Sequence, residues 1–162
     1  MNLEVLIADV LESKKGKVVC RVGDDDQRRM REFWDQLSNC TSNAEFMPAV
    51  VGIEQWRPFP GQMGGNAWKV AQAVQMVISW CWSSYVECEL FLPLDIKQRF
   101  LGSRSGDKNQ IGYAMLEEVP DLASKLNTIC RGKHEHVYDA CGLAVLALER
   151  YYNNHFDIIK GA

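Results

Sequence analysis

The sequence predicts an α/β domain in which helices cover a β-sheet. Runs rich in β-branched and apolar residues open the chain, and segments with helical spacing then alternate with further strand-like runs. Strands followed by alternating helices and strands are typical of a sheet with helices on its faces. A chain of 162 residues is long enough for one such domain, which we assign to residues 1–162.

A hairpin and a helix are predicted at the start of the chain. Strand-like runs occupy residues 3–10 and 16–22. The turn that joins them includes Gly16, the first residue of the second run. Over residues 24–37 apolar residues recur at helical spacing, and Asp26 is suitably placed to be the N-cap of this helix.

The next strand carries a polar feature at its end. After a loop over residues 38–43, the run "AVVGIE" over 49–54 predicts a short buried strand that ends on Glu54. Because burying an unpaired charge is costly, a buried strand rarely ends on a carboxylate without a reason. A Pro/Gly-rich loop over 56–65 follows, and then a long helix over 66–82.

The second half of the chain is predicted to be mainly helical. A strand over 86–94 precedes a basic loop over 97–108, "KQRFLGSRSGDK", whose composition suits contact with a phosphate backbone or an ordinary solvated surface. Helices are predicted over 108–119 and over 120–130, the second beginning at its proline. A closing helix is predicted over 134–152.

Composition and charge favour a globular protein of the cell interior. Apolar residues make up 47% and charged residues 24%, and the net charge of −3 argues against an indiscriminate nucleic-acid binder. We expect no signal peptide and no membrane span, and hence a cytoplasmic, organellar or virus-infected-cell location rather than secretion. The six cysteines are scattered, so we expect reduced, buried thiols rather than a zinc site or a disulfide framework.

Three polar residues are candidates for a site. Glu54 ends a strand, whereas His136 and Asp139 stand one helical turn apart near the start of the closing helix. Sites in α/β folds form where strands end, so these groups could meet there. Acids with one histidine and no cysteine suit Mg²⁺ or Mn²⁺. The alternative is that His136 and Asp139 only decorate and cap their helix.

Four segments of the sequence stand in a recognisable order: "GIEQ" at 52–55, "NAWKVAQAVQ" at 66–75, "IKQRFLGSRSGDKNQI" at 96–111 and "HVYDACGLAVLAL" at 136–148. In this order they resemble the RuvC-type Holliday junction resolvases. The resemblance covers roughly residues 50 to 150. It implies a ribonuclease H-like fold, with a mixed β-sheet flanked by α-helices.

The resemblance also implies a catalytic centre and a DNA-contacting surface. The implied metal ligands, for two Mg²⁺ or Mn²⁺ ions, are Asp9, Glu54, Asp139 and His136, and Lys108 is implied to act with them on the scissile phosphate. The residues predicted to contact DNA are Trp56, Phe59, Lys97, Arg99, Arg104, Lys108 and Lys133. The alternative for Trp56 and Phe59 is a proline-braced loop packed on the domain surface.

The N-terminus departs from the family pattern. Asp9 ends a hydrophobic run, as the family's first catalytic aspartate does, but "ADVLESKKG" lacks the usual Pro-Gly turn. In a second alignment, residues 3–22 match the family's second and third strands, and the first strand with its aspartate is missing. Both alignments remain open, so part of the usual N-terminal strands is altered or absent.

The function implied by the resemblance is a metal-dependent, structure-selective endonuclease of DNA recombination and repair. It would resolve four-way junctions by paired symmetric cuts that leave 5′-phosphates, and could also cut flaps or forks. Two symmetric cuts suit a homodimer, for which the helix over 66–83 is the candidate face. The alternative is a catalytically degenerate relative that binds branched DNA, or a protein partner, without cutting. A small-molecule enzyme has no phosphate-loop or cofactor motif to support it.

Overall fold

The computed structural model of the protein describes residues 22–42, 47–55 and 66–156. The hairpin predicted over 3–22 and the residue Asp9 lie outside this part of the chain, apart from Val22. So does the loop that carries Trp56 and Phe59. The predictions made for those residues therefore stay predictions.

Helices and two strands alternate along the described chain, which confirms the α/β class. The elements are α1 (Val22–Ser42), β1 (Val50–Glu54), α2 (Asn66–Ser83), β2 (Glu87–Phe91), α3 (Pro93–Leu101), α4 (Lys108–Glu118), α5 (Leu122–Leu126), a 3₁₀ turn (Arg131–Lys133) and α6 (His134–Phe156). Strands β1 and β2 pair in parallel, with Glu54 opposite Phe91. The larger mixed sheet implied by the resemblance stays a prediction.

Helices cover both faces of this small sheet. Successive residues of a strand point to opposite faces, and Val50 packs against the core that includes α6, whereas Val51 packs against α2. On the α6 side the buried residues are Phe91, Ile96, Ile111, Met115, Val119, Leu122, Leu126, Val137, Leu143, Val145 and Ala147. On the other side Trp80, Cys81 and Val86 form a smaller cluster, which α1 covers with Trp34 and Leu37.

Helix α6 lies directly on the sheet and runs against the direction of the strands. Glu87 at the start of β2 meets His155 near the end of α6 at 3.1 Å, and Glu89 meets Arg150 at 2.8 Å. A Cβ atom on Gly52 would lie only 2.3 Å from the backbone oxygen of Leu143. Because no larger residue fits at this position, Gly52 sets how closely β1 and α6 approach.

Two of the sequence predictions for α1 are wrong. The helix begins at Val22 rather than near Asp26, and it continues through Ser42, across the predicted loop over 38–43. Asp26 is therefore not an N-cap but lies within the first turns. Its carboxylate instead forms an ion pair with Lys69 of α2, with Nζ of Lys69 2.7 Å from Oδ1 of Asp26. This contact links α1 to α2.

The predicted strand over 86–94 is too long, and half of the predicted basic loop is helical. Strand β2 ends at Phe91, and α3 begins at Pro93, a residue that favours the first position of a helix. The carboxylate of Asp95 accepts a hydrogen bond from the backbone N–H of Leu92 at 2.7 Å. Gly102 ends the helix in the left-handed conformation, with φ of 66°.

The remaining helices follow the predictions with shifted ends. Helix α4 begins at Lys108 as predicted, and α6 begins at His134 but extends to Phe156. The helix predicted over 120–130 shortens to α5, whose two leucines are buried in the core. Its proline stands in the preceding turn.

The cysteine prediction is confirmed in part. Cys81 is fully buried, whereas Cys130 is exposed, and both are free thiols.

Within the described ranges, no helix combines the length and apolar character needed to cross a bilayer.

A candidate carboxylate site at the end of the sheet

Glu54 and Asp139 lie near each other at the end of the sheet, close enough for the charge of Asp139 to act on Glu54. Gly52 and Glu54 share the α6 face of β1, since residues two apart in a strand point the same way. Asp139 precedes Leu143 by four residues, about one helical turn. Because Gly52 touches Leu143 and the two elements run in opposite directions, both carboxylates lie beyond that contact on the same side.

The surroundings of Glu54 disfavour its charge. The side chain is reached by solvent at the rim of the site, yet partial burial raises the pKa of Glu54 above its usual range. The negative charge of Asp139 raises this pKa further, while the positive charge of Lys108 opposes the change.

Asp139 is half-buried and stands among both signs of charge. Burial is the largest cause of its raised pKa. Lys108 lowers the pKa of Asp139, Glu135 raises it, and His136 and Lys97 lower it. Carboxylates whose pKa values are raised by desolvation and shifted by specific charged partners are candidates for a functional site.

Lys108 is held at the site by a residue that the sequence analysis missed. Its Nζ atom lies 3.1 Å from Oε2 of Glu135, in the first turn of α6. This hydrogen bond raises the pKa of Lys108, as do the charges of Asp139 and Glu54. Glu135 stands four residues before Asp139 and so shares its face of α6, a spacing that could have indicated its role.

The start of α4 is fixed by a capping box, which places Lys108. The carboxylate of Asp107 accepts a hydrogen bond from the N–H of Gln110 at 2.9 Å. The side chain of Gln110 accepts one in return from the N–H of Asp107 at 3.0 Å. Lys108 is the first residue of the helix, so this box fixes the backbone conformation from which its side chain extends.

Three residues of the predicted DNA-contacting set lie on α3 and its following loop. Lys97 donates a hydrogen bond from Nζ to the carbonyl oxygen of Gly106 at 2.8 Å, and its charge acts on Asp139. Arg104 is exposed in the loop. Arg99 instead joins three helices, with its guanidinium 2.7 Å from Glu118 and 2.6 Å from Glu149.

These contacts give Arg99 and Lys97 structural roles within the predicted basic loop over 97–108. Arg99 stabilises the packing of α3 on α4 and α6 in this conformation, and Lys97 holds the loop against α3. Their predicted DNA contacts stay predictions. Lys133 ends the 3₁₀ turn just before α6, and its DNA contact is likewise a prediction.

His136 stands at the rim of the site. Its Nε2 atom lies 4.0 Å from Oε1 of Glu135, and its side chain is largely exposed. A protonated His136 would lower the pKa of Asp139. This position suits proton exchange with solvent better than burial against a metal ion.

The chemistry of Glu54 and Asp139 fits a hard divalent cation. Among the described residues no group of three or more His, Cys, Asp or Glu side chains gathers closely enough to hold a metal ion. Mg²⁺, however, is usually bound by one or two carboxylates together with water and substrate phosphate. Glu54 and Asp139 would be those carboxylates, and a cation would relieve the repulsion that raises the pKa of Glu54.

Divalent cations are expected to stabilise the protein through this pair. Ca²⁺ or Mg²⁺ at about 100 times its Kd would add roughly 2.7 kcal/mol, which raises Tm by roughly 5–10 °C for a chain of this size. Thermal unfolding with and without the ion measures the effect. Glu54→Gln and Asp139→Asn should lose it, whereas Glu117→Gln, on an exposed part of α4, should keep it.

We expect the same pair to contribute less to the stability of the metal-free protein as pH rises. Since the folded pKa of each carboxyl is raised, its contribution is present below the ordinary carboxyl range near pH 4 and is lost as pH rises through the folded value. Glu54→Gln should therefore be more stable than the wild type at pH 7 without metal. Equal unfolding free energies for the wild type and Glu54→Gln at pH 7 would contradict the view that the surroundings of Glu54 disfavour its charge.

The fold is similar to that of a known structure. A solved structure of RuvC from Thermus thermophilus superimposes with a TM-score of 0.59 at 18% sequence identity, covering 90% of this chain and 85% of that chain. The sequence matches no protein-family model and no curated protein. At this identity the likeness concerns the fold, and the order of segments noted in the sequence agrees with it.

Proposed function

We propose that the protein is a metal-dependent endonuclease that nicks branched DNA and resolves four-way junctions by paired symmetric cuts. One observation carries the proposal: Glu54 from β1 and Asp139 from α6 meet at the sheet end beside Lys108. The RuvC-like fold supports it, because the same segments that resemble the resolvase family supply these residues.

The residues of the site would divide the work of phosphodiester hydrolysis. Glu54 and Asp139 would hold Mg²⁺ or Mn²⁺, which would lower the pKa of a bound water and neutralise charge on the phosphate. Lys108 would contact a non-bridging oxygen of the scissile phosphate. His136, at the exposed rim, would exchange protons with solvent. Asp9 would complete the ligand set.

Basic residues next to the site would guide the DNA. Lys97, Arg104 and Lys133 lie on the segments that lead into α4 and α6, while the whole chain is acidic. Such local charge would neutralise phosphates near the cut rather than attract DNA everywhere. Trp56 and Phe59 would stack on bases opened at the branch.

The proposal is tested by cleavage of a labelled mobile four-way junction in Mg²⁺ or Mn²⁺. A linear duplex of the same sequence, and an EDTA reaction, serve as controls. Nicking of the junction alone, lost in Asp9→Asn, would support the proposal and place Asp9 in the site. Binding of the junction without nicking in either metal would overturn it in favour of the non-cutting alternative.

The proposed enzyme would act as a homodimer through α2. One side of α2 packs on the sheet through Val77 and Trp80, while Trp68 and Trp82 are 66% and 68% exposed. Large exposed aromatic side chains on one helix are typical of an interaction surface. A two-fold contact would present two sites to the two strands that must be cut.

The dimer is expected to dissociate when this surface becomes charged. Trp68→Asp combined with Trp82→Asp should shift the protein from dimer to monomer in sedimentation equilibrium at micromolar concentration. Tyr113→Asp, at another exposed aromatic residue on α4, should leave the mass unchanged. A wild type that sediments as a monomer, also with junction DNA, would contradict the proposed dimer.

A further inference from the structure

We propose that Glu135 is a positioning residue, whose carboxylate holds the Lys108 ammonium beside the Glu54–Asp139 pair, ready for the scissile phosphate. The inference rests on the proposed function and deepens it by adding a residue to the same site. Glu135 is not among the residues that the resemblance assigns.

The contact itself joins two separate elements at their first turns. Nζ of Lys108 lies 3.1 Å from Oε2 of Glu135, although the side chains are 58% and 47% exposed. Exposed pairs of this kind contribute only about 0–1 kcal/mol to folding. Stability is therefore a weak reason for the pair, whereas fixing a flexible lysine next to a reaction centre is a strong one.

The packing below the pair fixes its geometry. A Cβ atom on Gly112 would lie 2.8 Å from the ring of Tyr138, so α4 and α6 touch there through a glycine. Lys108 is one turn before Gly112, and Glu135 is three residues before Tyr138. The close contact therefore brings the two first turns together.

Charge explains why a third carboxylate is useful. Without Glu135, the ammonium of Lys108 would be drawn to Glu54 and Asp139, whose charges both act on it. Cations bound by that pair would then repel it. Glu135 gives Lys108 a partner outside the pair, so that the ammonium stays near the site while the pair binds metal.

The nicking rate and the junction affinity, measured together, distinguish a positioning role of Glu135 from a simple electrostatic effect on DNA binding. Glu135→Gln keeps the shape of the side chain but removes its charge. We expect junction Kd in EDTA to be unchanged or tighter, because a negative charge near DNA is lost. The single-turnover nicking rate should fall by about 10- to 100-fold, because the lysine is no longer held in place.

Two variants provide the comparison. Lys108→Met should slow nicking by at least as much, and Glu135→Gln combined with Lys108→Met should be no slower than Lys108→Met alone. Glu117→Gln is the matched control, since nine residues along α4 place it about 180° from Lys108. A Glu135→Gln enzyme that nicks at the wild-type rate or faster, or an additive double variant, would overturn the inference.

A second measurement keeps the inference testable if the wild type does not cut DNA. The ¹⁵N relaxation of the Lys108 ammonium reports its order in the free protein, and Lys108→Arg identifies its signal. We expect a restrained ammonium in the wild type and in Glu117→Gln, and a freely rotating chain in Glu135→Gln. Equal mobility in all three would overturn the positioning role independently of the nuclease proposal.

Discussion

Glu54→Gln is expected to reduce the rate of junction nicking by about 1,000-fold or more, with junction binding retained. The substitution removes one of the two carboxylates that would hold the metal ion, and metal catalysis contributes several kcal/mol at about 1.4 kcal/mol per tenfold in rate. The side chain keeps its size at the rim of the site. Single-turnover cleavage with saturating enzyme measures the chemical step alone.

Asp139→Asn should behave in the same way, because both carboxylates belong to one site. Combining the two should cost little more than either alone, as residues that act as a unit are not additive. The control is Glu117→Gln, which changes the same charge on an exposed part of α4. Nicking by Glu54→Gln at the wild-type rate would remove Glu54 from the mechanism.

Gly52→Val is expected to cause the largest loss of stability of any single change considered. Its Cβ would lie 2.3 Å from the backbone oxygen of Leu143 and 2.7 Å from the backbone carbon. Backbone atoms cannot move aside as a side chain can, so α6 must shift from β1. Overpacking of this kind costs about 1–3 kcal/mol and can cost more, which lowers Tm by roughly 2–12 °C at this chain length.

The same shift should separate Glu54 from Asp139. We expect nicking to be lost even at temperatures where circular dichroism shows that the variant is folded. Gly132→Ala is the matched control, because a Cβ at that glycine meets no atom within 4 Å. If Gly52→Val keeps both the wild-type Tm and the wild-type rate, the close contact between β1 and α6 does not exist in solution.

The core of the site could be predicted from the sequence because its signals are local. Glu54 is conspicuous as a charge that ends an apolar run, and Asp139 as a charge at the start of an apolar helix. Lys108, by contrast, was assigned from the resemblance. The order of these segments, with the resemblance, indicated that they converge, and the structure brings all three together.

Helix α3 was missed because polar residues hide its helical character. Only Ile96 of this helix is fully buried, so its apolar period is weak, and its basic residues suggested a loop. Its stability depends instead on its ends, Pro93 and Gly102, and on Arg99. The partners of Arg99 are 19 and 50 residues away along the chain, beyond the reach of any local pattern.

The close contacts made by glycine were also beyond the reach of local pattern. Gly52 and Gly112 stand in a strand and in a helix, where glycine normally weakens the element. Their value becomes visible only when the neighbouring element is in place, against Leu143 for one and Tyr138 for the other. Glu135 shares a face of α6 with Asp139, but its partner Lys108 lies on another helix, so the pair itself could not be found from local pattern.

The most direct test of the carboxylate site as a nuclease centre is strand-by-strand mapping of nicks in a four-way junction. Each strand is labelled in turn and incubated with the wild type or with Asp139→Asn in Mg²⁺. For the wild type we predict nicks at symmetric positions in two strands of like polarity, with 5′-phosphate ends. For Asp139→Asn we predict no nicks. Identical nicks from both proteins would contradict it, as would an uncut junction that the wild type binds.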